Sequence, residues 1–314
     1  MIRKTTLLVL LCAAALAAGV YYFDWKRGQA EPAAQDSSKP AFSMPAAEVV
    51  SLTLARAAQP AAPSIRLEKR NGMWDIVRPI EAPADQPAIE GMIDEIVGAR
   101  VSQTESGTPD RRKAYGLDPP QSSLEFELPG GAKHTVVLGN KDFTGTSVYS
   151  LIDGGPNVSL LPAALSDSAA LPVENLRDKR VAGIEPAEIQ RAEVRAANGL
   201  IVVSRKKESA EEWTFDAPEE QKGKPAAGSK ITDALASLRA EEVIDRPADS
   251  LIRQTAAPAV RAVLTGQDGR QITVRISKAM GDFVYARAGD GPALYKLKKQ
   301  VLDDWNWKPA DLVP

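Results

Sequence analysis

Residues 148–156 read VYSLIDGGP and residues 284–292 read VYARAGDGP. Val, Tyr, Gly and Pro fall at the same four places, and an Asp-Gly step lies inside each phrase. Asp-Gly and Gly-Gly steps supply the positive backbone angles that short hairpin turns need, so each phrase predicts a strand running into a tight turn. A phrase of this kind written twice in one chain points to an internal repeat, and a repeat sets the whole architecture.

Upstream, the duplication continues. Trp74 is followed five residues later by Pro79 in WDIVRP, and Trp213 five residues later by Pro218 in WTFDAP. Glu48 and Val49 precede the first Trp at nearly the spacing at which Glu188 and Ile189 precede the second. The alternating stretches SIRLEKR and GLIVVSRK lead into the Trp segments and read as strands. A helix follows in each copy. Ile89, Met92, Ile93, Ile96 and Val97 fall at i, i+3, i+4, i+7 and i+8, and Ile231, Ala234, Leu235 and Leu238 repeat the first four offsets. That spacing gathers the apolar side chains on one helix face. Asp85 and Ser229 are the expected N-caps, because a short oxygen-bearing side chain accepts bonds from first-turn amides. Beyond the helices, LEFEL and HTVVL flank PGGAK, and VRAVL and QITVRI flank TGQDGR, which predicts a further hairpin in each copy. The expected fold class is α+β: two tandem repeat units, 46–171 and 184–314, each a mainly antiparallel β-sheet with a packed helix, joined by a charged linker at 172–183.

The N-terminus predicts a membrane helix ahead of the repeats. Arg3 and Lys4 precede nineteen uncharged residues, 5–23, and Asp24, Trp25, Lys26 and Arg27 follow. That length crosses a bilayer as a helix. A signal peptide shares the basic start, but Tyr21, Tyr22, Phe23 and Trp25 suit a membrane interface and favour an uncleaved anchor over residues 1–27. The basic N-terminal flank places the rest of the chain on the outer side. Residues 28–45, rich in Ala, Pro, Ser and Gln, read as a flexible tether. Cys12, the one cysteine, follows Leu11 where a lipobox needs a small residue, and alone it excludes an intramolecular disulfide and a zinc site built on Cys pairs.

Chemistry-bearing residues are sparse. Thirty-nine basic and 41 acidic residues leave a formal charge of −2, so no overall field draws the chain to nucleic acid. His134, the one histidine, falls in a strand beside a turn without a partner motif, and reads as an exposed strand residue. Glu125 and Glu127 share one strand face opposite Leu124, Phe126 and Leu128, which suits a solvated sheet surface rather than an acid–base pair. No phosphate loop or metal-ligand spacing stands out, so no catalytic residue, cofactor or metal is expected. Arg177, Lys179 and Arg180, set around Asp178 in the linker, are the candidate partner-binding residues; the plainer reading is a solvated connection with local ion pairs. Tyr149, Tyr285 and Tyr295 are candidates for the rim of a ligand groove between the repeats. Trp305 and Trp307 in DDWNWKP are expected to pack the terminal segment onto the second unit.

The N-terminal span, a strand ending in Trp before a Pro, the phrase YGLDPP at 115–120, LRDKRV at 176–181 and a second degenerate copy together resemble the bacterial envelope family known as domain of unknown function 4340. The resemblance covers nearly the whole chain, although the second copy offers QTAAPA at 254–259 where the first has YGLDPP. It implies a tandem-repeat protein of the bacterial inner membrane, single-pass, with periplasmic domains and an accessory role beside ABC-type export components. The expected function is then a scaffold or adaptor for a protein partner in the envelope, such as ABC transporter subunits. A module binding cell-wall glycan or a small ligand in the groove between repeats is the alternative, and a hydrolase of unfamiliar design the third.

Overall fold

The structure, a computed structural model, describes residues 39–56, 63–206 and 212–314. The expected anchor and the first part of the tether lie outside the described residues. Among the described residues no helix is long and apolar enough to cross a membrane.

Alternating apolar residues build two nine-stranded, mainly antiparallel sheets, and few helices accompany them, so the fold class is α+β. The first sheet contains β1 (Ser51–Ala55), β2 (Ile65–Arg70), β3 (Met73–Arg78), β4 (Ala82–Pro83), β5 (Gln103–Ser106), β6 (Ser122–Glu127), β7 (Lys133–Lys141), β8 (Ser147–Ile152) and β9 (Asn157–Pro162). The second contains β10 (Ile189–Ala196), β11 (Gly199–Arg205), β12 (Trp213–Ala217), β13 (Pro225–Ala226), β14 (Glu242–Ile244), β15 (Val260–Gly266), β16 (Gln271–Ile276), β17 (Phe283–Ala288) and β18 (Leu294–Lys298). Strand order is β4-β3-β2-β1-β6-β7-β8-β9-β5 in the first and β13-β12-β11-β10-β15-β16-β17-β18-β14 in the second, the same path taken twice. Helices fall at the same joints. In chain order they are α1 (Gln86–Val97), α2 (Pro109–Ala114), α3 (Ala164–Ala169), α4 (Val173–Leu176), α5 (Gly228–Ala236), α6 (Asp249–Gln254) and α7 (Val301–Asp304). α1 and α5 lead into the short strand that crosses to the far edge of each sheet, α2 and α6 follow that strand, and α3 and α7 follow the last hairpin.

By contact the chain divides into two compact units, Met1–Lys69 with Glu90–Leu171 and Arg70–Ile89 with Pro172–Pro314. In the first, β6 shows the period of two plainly: Ser122, Leu124 and Phe126 are buried while Ser123, Glu125 and Glu127 are half-buried. Ile93, Ile96 and Val97 of α1 meet Val49, Leu52 and Phe126, which is the apolar face the helical spacing predicts. Residues 39–45 differ from the expected tether. Lys39 and Pro40 pair with Val101 and Arg100, and Phe42 is buried with its ring edge-on to Phe126 at 4.9 Å. One aromatic in a polar stretch is enough to draw that end of the tether onto the core.

The second unit centres on Ile189, Val194, Phe215, Ile231, Leu235 and Val274. Trp305 joins this cluster and Trp307 stacks on it at 6.3 Å, so the C-terminal pair packs inward. The expected N-caps part company. Asp85 accepts from the Ala88 amide at 3.3 Å, whereas α5 begins before Ser229, at Gly228, with Ala227 at its N-cap. The reason is steric: a Cβ on Gly228 would stand 2.3 Å from the Trp213 ring, so the helix starts with its bare residue against the indole.

Several landmarks match in detail. The peptide bonds before Pro79 and Pro218 are both cis. The carbonyl of Leu176 accepts the Asp85 amide at 2.8 Å, and that of Leu312 accepts the Ala227 amide at 2.7 Å, each at the start of the long helix of its copy. Both leucines are fully buried. The front of the expected linker, α4, thus corresponds to the last turn of the chain. Within the duplicated phrase, Asp153 (φ 49°) and Gly289 (φ 58°) hold the same left-handed place, and each donates its amide to a threonine carbonyl, Thr135 or Thr273, at 2.8 Å.

Candidate functional site

Three cations and one acid follow Leu176 within a few residues, and the backbone around them is stitched down on both sides. The Asp178 amide donates to the Pro83 carbonyl at 2.8 Å, while the carbonyl of Lys179 accepts from Ala240 at 2.8 Å and the Val181 amide donates to Leu238 at 2.9 Å. All of these residues belong to the second unit.

The side chains sort by burial. Arg177 is 8% exposed, and its two Nη groups grip the Asp245 carboxylate at 2.9 and 3.0 Å, a planar fork that suits guanidinium geometry. Among the described residues its Nε has no hydrogen-bond partner. Arg180 donates to Asp178, with Nη2 at 2.8 Å and Nε at 2.9 Å, and to Glu185. Hydrogen bonding to Asp178 above all, with that to Glu185, holds its guanidinium even more firmly protonated than usual. Lys179 is half-buried and makes no side-chain ion pair among the described residues. The three linker cations therefore differ: Arg177 is buried and paired with one acid, Arg180 is half-buried and paired with two, and Lys179 is half-buried beside them.

Asp178 and Arg180 line two hollows. One of about 420 Å³ is lined also by Arg177, Arg270, Gln271 and Tyr295; another of about 350 Å³ adds Asp85, Glu185 and Arg239. Asp85 and Arg239 are ion-paired across the second. Burial pushes the Tyr295 phenol above its ordinary pKa, so it stays a neutral donor at the wall of the first.

The three candidate tyrosines do not form one rim. Tyr285 pairs with Lys296 and Ala286 with Tyr295, so adjacent-strand register puts Tyr285 and Tyr295 on opposite faces of the second sheet. Tyr149 belongs to the first unit and is already covered: Tyr115 of YGLDPP stacks on it with ring centroids 3.8 Å apart. That loop sits down because Gly139 lets it. A Cβ there would meet the Tyr115 carbonyl at 2.2 Å, and the same carbonyl accepts the Asn140 amide at 2.7 Å. The Tyr115 hydroxyl donates to Glu105 at 3.0 Å, the bond that most raises its pKa.

His134 lies in β7, the strand expected for it, half-buried rather than exposed, and it has a side-chain partner. Its Nδ1 lies 2.9 Å from Asp153 in the duplicated turn, and its ring stacks on Phe126 at 5.4 Å. Asp153 also accepts the Thr135 amide at 2.9 Å, so the pair fastens the turn to β7. Nothing in the linear spacing marks this partner; only the hairpin register brings it across. Glu125 and Glu127 are tied to Lys133 at 2.8 and 3.9 Å, and Glu127 to Arg66 at 3.8 Å, an ion ladder on the solvated face. Among the described residues no three His, Cys, Asp or Glu side chains gather as a metal site.

No curated protein and no solved structure matches the chain. A family model described as Domain of unknown function (DUF4340) matches residues 74–258, more than half of it, from the first Trp through YGLDPP and LRDKRV into the second copy. The chain belongs to this family.

Proposed function

We propose that this chain is a non-catalytic adaptor of the bacterial envelope, anchored once in the inner membrane by residues 5–23, whose tandem repeats face outward and hold a protein partner, a subunit of an ABC-type export complex. The observation that supports this reading is the state of the LRDKRV cations. Acid–base catalysis needs a group free to change its protonation near neutrality. Arg177 and Arg180 are instead tied up in ion pairs, the first with Asp245 and the second with Asp178 and Glu185, where Arg180 lines both hollows and Arg177 and Arg270 line the larger. A fixed relief of paired ions serves recognition, where buried pairs set register and rim charges steer encounter.

A second reading has one observation of its own. The larger hollow, at about 420 Å³, falls within the usual range of small-ligand sites, about 300–1,000 Å³. Tyr295 and Gln271 beside arginines would suit a hydroxyl-rich ligand such as cell-wall glycan. Crosslinking of the full-length protein in native membranes, followed by mass spectrometry, separates the two. Repeated capture of inner-membrane transporter subunits, lost when residues 1–27 are replaced by a cleavable signal, is the expected result. Recovery of the protein alone, or with glycan only, would overturn the adaptor and favour the ligand module.

A further inference from the structure

Four arginines stand side by side on the outer face of the second sheet. Register pairs Arg195 of β10 with Arg261 of β15, Arg261 with Arg275 of β16, and Arg275 with Arg287 of β17. Their strand neighbours Val194, Ala262, Val274 and Ala286 are buried, so by the alternation of a strand the four side chains leave the opposite face. Arg195 and Arg261 are exposed, and Arg275 and Arg287 are half-buried. Strands in a sheet lie about 4.8 Å apart, which makes the row about 15 Å long.

Like charges directly opposite one another destabilise a sheet. Among the described residues no carboxylate is paired with any of the four. Arg275 donates to the Gly289 carbonyl at 3.2 Å, and Arg287 to the carbonyls of Gly291 and Asp290 at 2.9 and 3.1 Å. These bonds aim two guanidinium groups over the duplicated turn and leave their charge unbalanced. The matching ladder of the first sheet has Ala55, Ser123, Val137 and Leu151 in the same places. There the YGLDPP residues Tyr115 and Leu117 pack with Val137 and Leu151.

We infer that the arginine row is a docking strip for an extended acidic segment of a protein partner, an identification of the occupant that rests on the adaptor reading. Charge selects an acid, and a guanidinium fork fits a carboxylate. Width selects a chain rather than a plane. The adjacent rows on the same face hold Glu193, Val263 and Thr273 on one side and the neutral Ser277 and Tyr285 on the other, so the positive strip is one residue wide. An anionic bilayer would meet Glu193, whereas an extended peptide lays its same-face side chains along a line at about 7 Å intervals, within reach of long arginine side chains.

The test is fluorescence anisotropy of the full-length protein in detergent with a labelled oligoglutamate, and with oligoglutamine as control. The oligoglutamate is expected to bind, the control not, and the affinity to fall with salt. R195Q/R261Q, which removes two exposed side chains, is expected to weaken binding by about tenfold, and E193Q to strengthen it by about twofold. Unchanged affinity in the double variant, or preference for polyphosphate or phosphatidylglycerol vesicles over oligoglutamate, would overturn the proposal. The two readings fail separately. Peptide binding with no partner captured in membranes removes the adaptor and keeps the strip; a partner captured equally by R195Q/R261Q, with no peptide binding, removes the strip and keeps the adaptor.

Discussion

The two copies share a backbone path and differ most where a sheet face is free to vary. Val137 and Leu151 in the first occupy the ladder places of Arg275 and Arg287 in the second. The first pair packs with YGLDPP; the second lies where the chain reads QTAAPA and carries unbalanced charge. Core-facing positions could not diverge this way, since a charge there would be desolvated without a partner. The difference teaches that the two sheets share their core-facing pattern while their outer faces vary.

If the copies are equivalent scaffolds, the largest effects should match between them. Trp74→Ala and Trp213→Ala each remove an almost fully buried indole, and each is expected to lose about 3–5 kcal/mol in denaturant unfolding. A cost confined to one copy would break the equivalence. The next effect should be asymmetric. Gly139 and Ser277 hold the same place in the two copies, but only Gly139 lies under the Tyr115 carbonyl. Gly139→Ser is expected to cost about 1–3 kcal/mol through overpacking and to unstack Tyr115 from Tyr149, read by near-ultraviolet circular dichroism. Ser277→Gly should leave the fold's aromatic signals unchanged while losing the hydroxyl bond to the Tyr285 amide. Smaller still, Arg261→Gln should raise stability by about 0.2–1 kcal/mol, because it removes like charges facing it on both neighbouring strands.

The smallest effect concerns the loops that precede the duplicated phrase. Asp142 is held below its ordinary pKa of 3.8 first by the Thr144 hydroxyl, and Asp282 below the same value first by Lys299. Both pKa values are depressed, so each contribution to stability is present above the ordinary value and is lost as pH falls through the lowered one. Salt should separate them. Screening acts on the Lys299 charge and not on a neutral hydroxyl, so carbon-detected titration at high salt should move Asp282 toward its ordinary value and leave Asp142 in place. Equal movement would show that charge holds both.

The repeat was legible because its marks are local. Trp before Pro, Asp-Gly turns and the spacing of Ile89, Met92, Ile93 and Ile96 depend on neighbours within a few residues, and strand alternation shows at a glance in LEFEL. The linker cations were found by composition, but their roles were not, because burial of Arg177 depends on Asp245, far along the chain. Phe42 and the His134–Asp153 pair escaped for the same reason.

By itself, then, the sequence determined the main strands, the hairpin turns, the long helix of each half and the recurrence of one pattern, all properties of short-range sterics and hydrophobic period. Only the tertiary structure decided that β5 and β14 cross to the far edge of their sheets and that Tyr285 and Tyr295 face opposite ways. It alone also brought Arg195, Arg261, Arg275 and Arg287 into one line. Cross-strand register is set by pairing between distant segments, and a shift of one residue would have turned each strand's side chains to the other face.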